Sequence, residues 1–118
     1  MARLFHITTN SQAAGASQAG EYTPATFERE GFIHTSYAHQ VLATANRIFK
    51  GRRDLVVLEI DPSLLGCVVV DENLEGGSEL FPHIYGRLRW AAVLNVHPLP
   101  CDSAGTFPAS LPWLEPRS

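Results

Sequence analysis

Three histidines of this sequence are each followed, two positions later, by a residue with a hydroxyl group. The three segments are His6-Ile7-Thr8, His34-Thr35-Ser36 and His83-Ile84-Tyr85. On a β-strand, positions i and i+2 point to the same face, so each segment would present an imidazole beside a hydroxyl. An imidazole exchanges protons near neutral pH, and hydroxyls bind ribose and phosphate oxygens. The pattern therefore predicts one cleft, lined by the three histidines, for a small polar ligand.

A purely structural role is the alternative for these histidines, because five histidines in 118 residues make a repeated spacing easy to reach by chance. His39 falls on the exposed face of a predicted helix, and His97 falls at the exit of the last predicted strand. His34 and His39 also lack the His-x-x-x-His spacing that places two metal ligands on one helix face. Since no residue pattern demands a metal, none is predicted.

Three glutamates precede the third histidine segment: Glu72, Glu75 and Glu79. A carboxylate near the histidines would suit proton transfer or the stabilisation of an oxocarbenium ion. Glu72 directly follows a valine-rich strand, so it is the glutamate that the fold should position most firmly. Simple solvation is the alternative for all three. The candidates for binding a phosphate are the arginines that flank the first and third segments, Arg3, Arg87 and Arg89.

The composition predicts one compact domain, with 45% hydrophobic and 18% charged residues in a chain of 118. The net charge of −3 argues against nucleic acid or a membrane surface as a partner, because both require clustered positive charge. No apolar run approaches the roughly 20 residues that span a bilayer, and no signal peptide is expected. Two cysteines without a Cys-x-x-Cys spacing favour a reducing compartment. We therefore expect a soluble cytoplasmic protein.

Hydrophobic periodicity predicts the order β-α-α-β-α-β-β-β-β, which belongs to the α+β class. The first strand is expected at 3–8, and the first helix at 10–20 with Asn10 or Ser11 as its cap and Gly15 in its interior. A second short helix should begin at Thr23-Pro24 and end at Gly31. The third helix should begin directly after Ser36 and continue to residue 50.

A strand is expected at 54–60, and its uninterrupted apolar run at 55–58 is typical of a central strand that is covered on both faces. Further strands are expected at 67–70, 81–86 and 90–96, and Pro82 should place its strand at an edge or a bend, because proline cannot donate to a ladder. Residues 1–97 are predicted to form the domain. Residues 98–118 contain five prolines and are predicted to form an extended tail that adds no core element.

Several segments together carry a family resemblance. They are Phe5-His6-Ile7-Thr8, Gly20-Glu21-Tyr22, Gly31-Phe32-Ile33-His34-Thr35-Ser36 with Gln40, Asp54-Leu55 and Phe81-Pro82-His83-Ile84-Tyr85-Gly86. Over about residues 3–97 the chain resembles the bacterial and plant family known as domain of unknown function 952. It departs from the usual members in the first helix, where they place a tryptophan and this chain has an alanine-rich segment.

That family is similar in plan to the ADP-ribosyltransferase and RNA 2′-phosphotransferase fold. The resemblance implies a bent, split β-sheet of about five to six strands, with two or three helices and a central cleft that binds NAD. It implies that His34, His83 and Glu72 are the catalytic residues, with Glu79 as the alternative to Glu72. The ligand-binding residues that it implies are His6, which would contact a ribose hydroxyl, with Thr8, Thr35, Ser36 and Tyr85.

Three classes of function remain open. The first is an ADP-ribosyl-type transferase or an NAD- or ADP-ribose-binding protein, for which NAD is the candidate substrate and no other cofactor is called for. The second is a phosphoesterase in which His6 and His34 act as general base and acid. The third is a non-catalytic nucleotide-binding module. A helix that begins after Ser36 would add a partial positive charge for an anionic ligand.

Overall fold

A computed structural model of the protein describes residues 2–73 and 77–114, so Glu75 lies outside the described residues. The strands are β1 (Leu4–Thr9), β2 (Glu21–Tyr22), β3 (Ile33–His34), β4 (Leu55–Ile60), β5 (Val68–Glu72), β6 (Phe81–Tyr85), β7 (Leu88–Arg89) and β8 (Val93–Pro98). The helices are α1 (Asn10–Ala19), α2 (Phe27–Glu30) and α3 (Val41–Ile48), with short 3-10 turns at Pro62–Leu64, Trp90–Ala92 and Pro112–Leu114. The predicted α+β class is confirmed.

The strands form three small antiparallel sheets, of order β1-β4-β8, β2-β7 and β3-β6-β5. This differs from the predicted sheet of about five to six strands. A bridge between Phe5 and Ser36, with two backbone hydrogen bonds of 2.8 Å, links β1 to the residues after β3. The bridge holds the first and third sheets side by side and so brings together the strands that carry His6, His34 and His83.

Pro82 limits the pairing between β3 and β6. Thr35 N–H donates to the Pro82 carbonyl at 3.2 Å. Pro82 has no N–H that could donate back to Thr35, so the ladder between β3 and β6 ends there. Contrary to the expectation of an edge or a bend, β6 lies between β3 and β5. The missing proline donor therefore shortens β3 instead of placing β6 at an edge.

The predicted central strand is confirmed as β4, whose six residues are all buried. It lies between β1 and β8, and its two faces contribute to two hydrophobic clusters. Val56, Leu58 and Ile60 belong to the first cluster, which also contains Ala13 and Ala16 of α1. Leu55 and Val57 belong to the second cluster, which also includes Val41 and Ala45 of α3. Alternation along one strand therefore joins both halves of the core.

The helices form close to the predicted places, but two of them begin later. Thr9 caps α1 by accepting from Gln12 N–H at 3.1 Å, in place of the predicted Asn10 or Ser11. α2 begins at Phe27 and ends before Gly31. α3 begins at Val41 because the Gln40 side chain accepts from Tyr37 N–H at 2.9 Å and holds the preceding residues in a turn. The prediction of a helix N-terminus beside Ser36 is therefore wrong.

The prediction that residues after 97 add nothing to the core is also wrong. Leu99, Phe107 and Leu114 are buried in the second cluster. Asn46 holds this segment, because its Oδ1 accepts from Phe107 N–H at 2.7 Å and its Nδ2 donates to the Phe107 carbonyl at 3.1 Å. The prolines exclude regular structure from the segment, yet they leave the apolar side chains between them available for burial.

No helix among the described residues has both the length and the hydropathy needed to cross a bilayer. Even α1, the longest, has only ten residues, from Asn10 to Ala19.

Gly15 is exposed in the interior of α1, and a Cβ added there would meet nothing within 4 Å. We expect Gly15→Ala to raise the free energy of unfolding by about 1 kcal/mol, because alanine loses less backbone entropy in a helix. Gly20, which ends the same helix at φ +83°, is the matched control, and Gly20→Ala should destabilise the protein. Urea denaturation of both variants shows whether each substitution raises or lowers the free energy of unfolding. A loss of stability in Gly15→Ala would contradict this account of α1.

Candidate functional site

A cleft of about 560 Å³ lies between β1 and the β3-β6 pair. Its volume falls within the roughly 300–1,000 Å³ of typical small-molecule sites. Six of the predicted site residues line it, namely His6, Thr8, His34, Thr35, Ser36 and His83. The prediction that the three histidines share one cleft is therefore confirmed. Glu72 and Tyr85 are not among the lining residues, so they act on the cleft only through a neighbour.

His6 is buried, and both of its ring nitrogens are hydrogen-bonded within the protein. Nδ1–H donates to the His34 carbonyl at 2.6 Å, so Nε2 of the neutral ring accepts from the Tyr22 hydroxyl at 2.8 Å. Burial is the main cause that lowers the pKa of His6 to about 4, although the bond to the His34 carbonyl opposes it. Burial also raises the pKa of Tyr22, which keeps its hydroxyl protonated as the donor. A direct bond from His6 to a ribose hydroxyl would require one of these bonds to break.

The neutral state of His6 predicts a loss of stability in acid. The pKa of His6 is about 4 in the folded protein and 6.5 for an ordinary imidazole. As the pH falls, the unfolded chain therefore takes up this proton before the folded protein does. The contribution of neutral His6 to the free energy of unfolding is therefore fully present above about pH 6.5. It falls as the pH drops towards 4, by about 3 kcal/mol in total. Urea denaturation at pH 7 and pH 4 should show a smaller pH effect in His6→Gln than in wild type. His39→Gln, which replaces an exposed histidine, is the control. An equal pH effect in His6→Gln and wild type would refute this role.

His83 is almost fully buried, at 2% exposure, and Glu72 fixes its orientation. His83 lies opposite Val70 in the register of β5 and β6, so Glu72 is two residues further along β5 on the same face. His83 Nδ1–H donates to Glu72 Oε1 at 3.0 Å, and the Tyr85 hydroxyl donates to the same oxygen. The bonds from Tyr85 and His83 hold the pKa of Glu72 below its usual value. Nε2 is then the His83 nitrogen that is left for a ligand.

His34 lies directly opposite His83 in the pairing of β3 with β6. The two ring centroids are 5.0 Å apart, and the planes meet at 77°. His34 Nε2 lies 3.2 Å from Glu30 Oε1, and its side chain is 39% exposed at the mouth of the cleft. Phe32 contacts both rings, stacked on His83 at 4.4 Å and edge-on to His34 at 4.8 Å. The two imidazoles are thus held against each other by an aromatic support.

Sequence reasoning did not single out Phe32 or Glu30. Phe32 is two residues before His34, and this spacing would have placed both side chains on one face of the predicted strand. Glu30 is four residues before His34 but belongs to α2, whereas His34 belongs to β3, so no single periodicity connects them. Their contact is decided by the turn at Gly31 between the two elements.

Three of the four predicted hydroxyls, those of Thr8, Thr35 and Tyr85, are already engaged inside the protein. Thr8 Oγ1–H donates to Gln12 Oε1 at 2.7 Å, and the Tyr22 hydroxyl lies 3.1 Å from the same Oγ1. Thr35 Oγ1–H donates to the Pro82 carbonyl at 2.5 Å. Tyr85 donates to Glu72, away from the cleft lining. These side chains therefore shape and hold the cleft wall, and their predicted contacts with a ligand stay a prediction.

None of the three arginines predicted to bind phosphate lines the cleft. Arg3 is paired with Glu59 at 2.6 Å, and Arg87 lies 3.7 Å from Glu21. The Arg89 guanidinium approaches Gly66. The arginines that do line the cleft are Arg47, near the end of α3, and Arg52, which is paired with Asp54 at 3.1 Å. Their distance in sequence from all three histidine segments is the reason that the sequence did not indicate them.

Glu79, the third candidate carboxylate, also lies away from the cleft lining. Its Oε2 accepts from Gln40 Nε2 at 3.1 Å and lies 3.8 Å from His39 Nε2. Gln40 Nε2 also donates to the Leu80 carbonyl at 2.8 Å. Glu79 therefore helps to hold the turn after Ser36 against the start of β6. Within residues 2–73 and 77–114, no three His, Cys, Asp or Glu side chains are grouped so that they could hold a metal ion.

Comparison with known proteins identifies relatives of this fold. A crystal structure of protein CC0527 from Caulobacter crescentus is 29% identical, with a TM-score of 0.79 over 90% of this chain and 93% of that chain. The solution NMR structure of CC0527 is 30% identical, with a TM-score of 0.77 over 89% and 90% of the two chains. A search of curated proteins finds no match.

The likeness in plan to the ADP-ribosyltransferase fold stays a prediction, whereas the family resemblance is confirmed. The family described as "Protein of unknown function (DUF952)" matches residues 7–96, which include β3, β6 and the two facing histidines. Since this match spans most of the sequence, the chain belongs to the DUF952 family.

Proposed function

We propose that the cleft binds a small phosphorylated ribonucleoside, with ADP-ribose and NAD as the first ligands to test. The observation that carries this proposal is that His34, His83, Arg47 and Arg52 all line one cleft. Guanidinium groups bind phosphate oxygens through paired, charge-assisted hydrogen bonds. Imidazoles can donate to or accept from ribose hydroxyls. The two kinds of group therefore match the two polar parts of a nucleotide.

The apolar part of the wall suits the base of such a ligand. Phe5, Phe49 and Phe81 line the cleft, as does Leu55. Aromatic and aliphatic side chains with a few polar groups are typical of small-molecule sites. The net charge of −3 disfavours a long polyanion, while two local arginines suffice for one diphosphate. The ligand expected here is therefore a single nucleotide and not a nucleic acid.

An ADP-ribosyl transfer reaction, which the fold-level resemblance suggests, would need a carboxylate near the reacting ribose. Among the described residues that line the cleft, Glu30 is the single carboxylate. A transferase activity on NAD would therefore depend on Glu30 rather than on Glu72, which is hydrogen-bonded to His83 and does not line the cleft. A binding module without catalysis would need neither carboxylate.

Isothermal titration with ADP-ribose, NAD and adenosine tests the proposed ligand class. We expect Arg47→Ala to weaken the binding of ADP-ribose by about 10- to 100-fold, because it removes a charged partner of the phosphates. Adenosine has no phosphate, so its binding should be nearly unchanged in this variant. The matched control is Arg87→Ala, which replaces an exposed arginine outside the cleft.

His34→Ala should weaken both ADP-ribose and adenosine, and His39→Ala should weaken neither. The absence of any heat at millimolar ADP-ribose and NAD would refute the proposed function. Binding that survives both Arg47→Ala and His34→Ala would refute this cleft as the site. Incubation of the wild type with NAD, followed by mass spectrometry, distinguishes a transferase from a binding module.

A further inference from the structure

Two carboxylate–imidazole pairs lie side by side where β3 pairs with β6. Glu30 and His34 form the first, with 3.2 Å between Oε1 and Nε2. Glu72 and His83 form the second, with 3.0 Å between Oε1 and Nδ1. The two rings are 5.0 Å apart, and both line the cleft. A carboxylate on one ring nitrogen fixes the ring orientation and stabilises the imidazolium that forms when the ring takes up a proton.

We propose that His83 and His34 are the general base and the general acid in the hydrolysis of a phosphodiester bond of a small ribonucleotide. This inference rests on the proposed function, because the arginines of the same cleft would hold the phosphate. The assignment of the two roles follows from geometry. Glu72 occupies His83 Nδ1, which leaves the Nε2 lone pair to accept a proton. His34 is at the exposed mouth, where it can exchange its proton with solvent.

The reaction balances with water as the only co-substrate. His83 Nε2 takes a proton from the attacking water, and the water oxygen forms a new bond to phosphorus. The bond between phosphorus and the leaving oxygen breaks, and the His34 imidazolium gives its proton to that oxygen. The products are a phosphomonoester and an alcohol, and in a cyclic nucleotide both remain on one molecule. Proton exchange with solvent restores the two histidines. Acid–base catalysis of this kind contributes about 10²- to 10⁴-fold to a rate.

The same geometry disfavours His6 as the second catalytic histidine. His6 is held by the His34 carbonyl at 2.6 Å and by the Tyr22 hydroxyl at 2.8 Å, so neither nitrogen is left for a substrate. The acid–base pair of a phosphoesterase in this cleft is therefore His34 with His83 rather than His6 with His34. His6 instead positions His34 through its backbone.

The test uses adenosine 2′,3′-cyclic phosphate and adenosine 3′,5′-cyclic phosphate as probes, with hydrolysis followed by ³¹P NMR. We expect the wild type to hydrolyse at least one isomer, and His34→Gln and His83→Gln each to lower kcat by about 100-fold or more. His39→Gln should retain the wild-type rate, since His39 lies outside the cleft. Circular dichroism confirms the folded state of each variant.

Because His83 is buried, its variant can fail to fold, and Glu72→Gln provides a second measurement. Glu72 acts here as a positioning residue, so Glu72→Gln should lower kcat by about tenfold or more while KM changes little. An unchanged kcat in either Glu72→Gln or His34→Gln would overturn the inference.

Isothermal titration of the same two nucleotides separates the two possible failures. Binding of both isomers without hydrolysis of either would overturn the phosphodiesterase inference and leave the proposed function standing. No binding of these probes, of ADP-ribose or of NAD would overturn the proposed function itself, and the inference with it.

Discussion

Phe107→Ala is expected to lower the free energy of unfolding by about 3–5 kcal/mol, the usual cost of truncating a buried phenylalanine. Phe107 is only 2% exposed and belongs to the second hydrophobic cluster with Phe5 and Leu55. Its backbone is also held by two hydrogen bonds to Asn46. Removal of the ring would leave a cavity that these bonds prevent the segment from closing. Urea denaturation measures the loss, and the slope of the free energy of unfolding against urea concentration is compared between variant and wild type.

Ser110→Ala is the matched control, because Ser110 is an exposed residue of the same C-terminal segment. We expect it to change the stability by less than about 0.5 kcal/mol. If Phe107→Ala were as mild as this control, residues after 97 would be the dispensable tail that their proline content predicts. A large loss in Phe107→Ala alone would show that the segment completes the core.

Leu58→Ala should cost about 2–5 kcal/mol, because Leu58 is fully buried at the centre of β4. It lies in the first cluster, so the cavity would form on the face of the sheet opposite to Phe107. Leu94→Ala on β8 replaces a leucine that is 38% exposed and should cost much less.

His34→Ala should also cost much less than Leu58→Ala, because the His34 side chain is 39% exposed at a cleft. Thermal and chemical denaturation of both variants compare them directly. Equal losses in Leu58→Ala and His34→Ala would indicate that the histidines belong to a core network and do not line a ligand site.

Local patterns in the sequence were sufficient for the elements that depend on near neighbours. The apolar run at 55–58 predicts a covered strand, and β4 is that strand with every residue buried. The spacing of an imidazole two residues before a hydroxyl predicts which strand faces carry the histidines. The cleft then confirms that His6, His34 and His83 converge. The strand faces are predictable because the two-residue period of a strand is set by backbone geometry alone, whereas the convergence also depends on the bridge between Phe5 and Ser36.

Contacts between distant segments could not be predicted from such local patterns. The Gln40 side chain holds the residues after Ser36 in a turn by bonding Tyr37 N–H, the Leu80 carbonyl and Glu79, so α3 starts later than periodicity indicates. Likewise, Arg47 and Arg52 reach the cleft only because α3 and the chain after it lie beside β1. Nothing in the local spacing of these arginines distinguishes them from the solvated arginines elsewhere.

The sequence by itself determined the α+β class, the central strand, the family and the faces of the three histidines, because each is encoded in residues adjacent or nearly adjacent in the chain. Only the tertiary structure decided which hydrogen bonds each histidine makes. It buried both nitrogens of His6 against Tyr22 and the His34 backbone, and it paired His83 with Glu72 across β5 and β6. It also placed Phe107 in the core. Such outcomes depend on strand register and on segments up to about 60 residues apart, whose meeting is governed by burial and hydrogen-bond satisfaction over the whole chain.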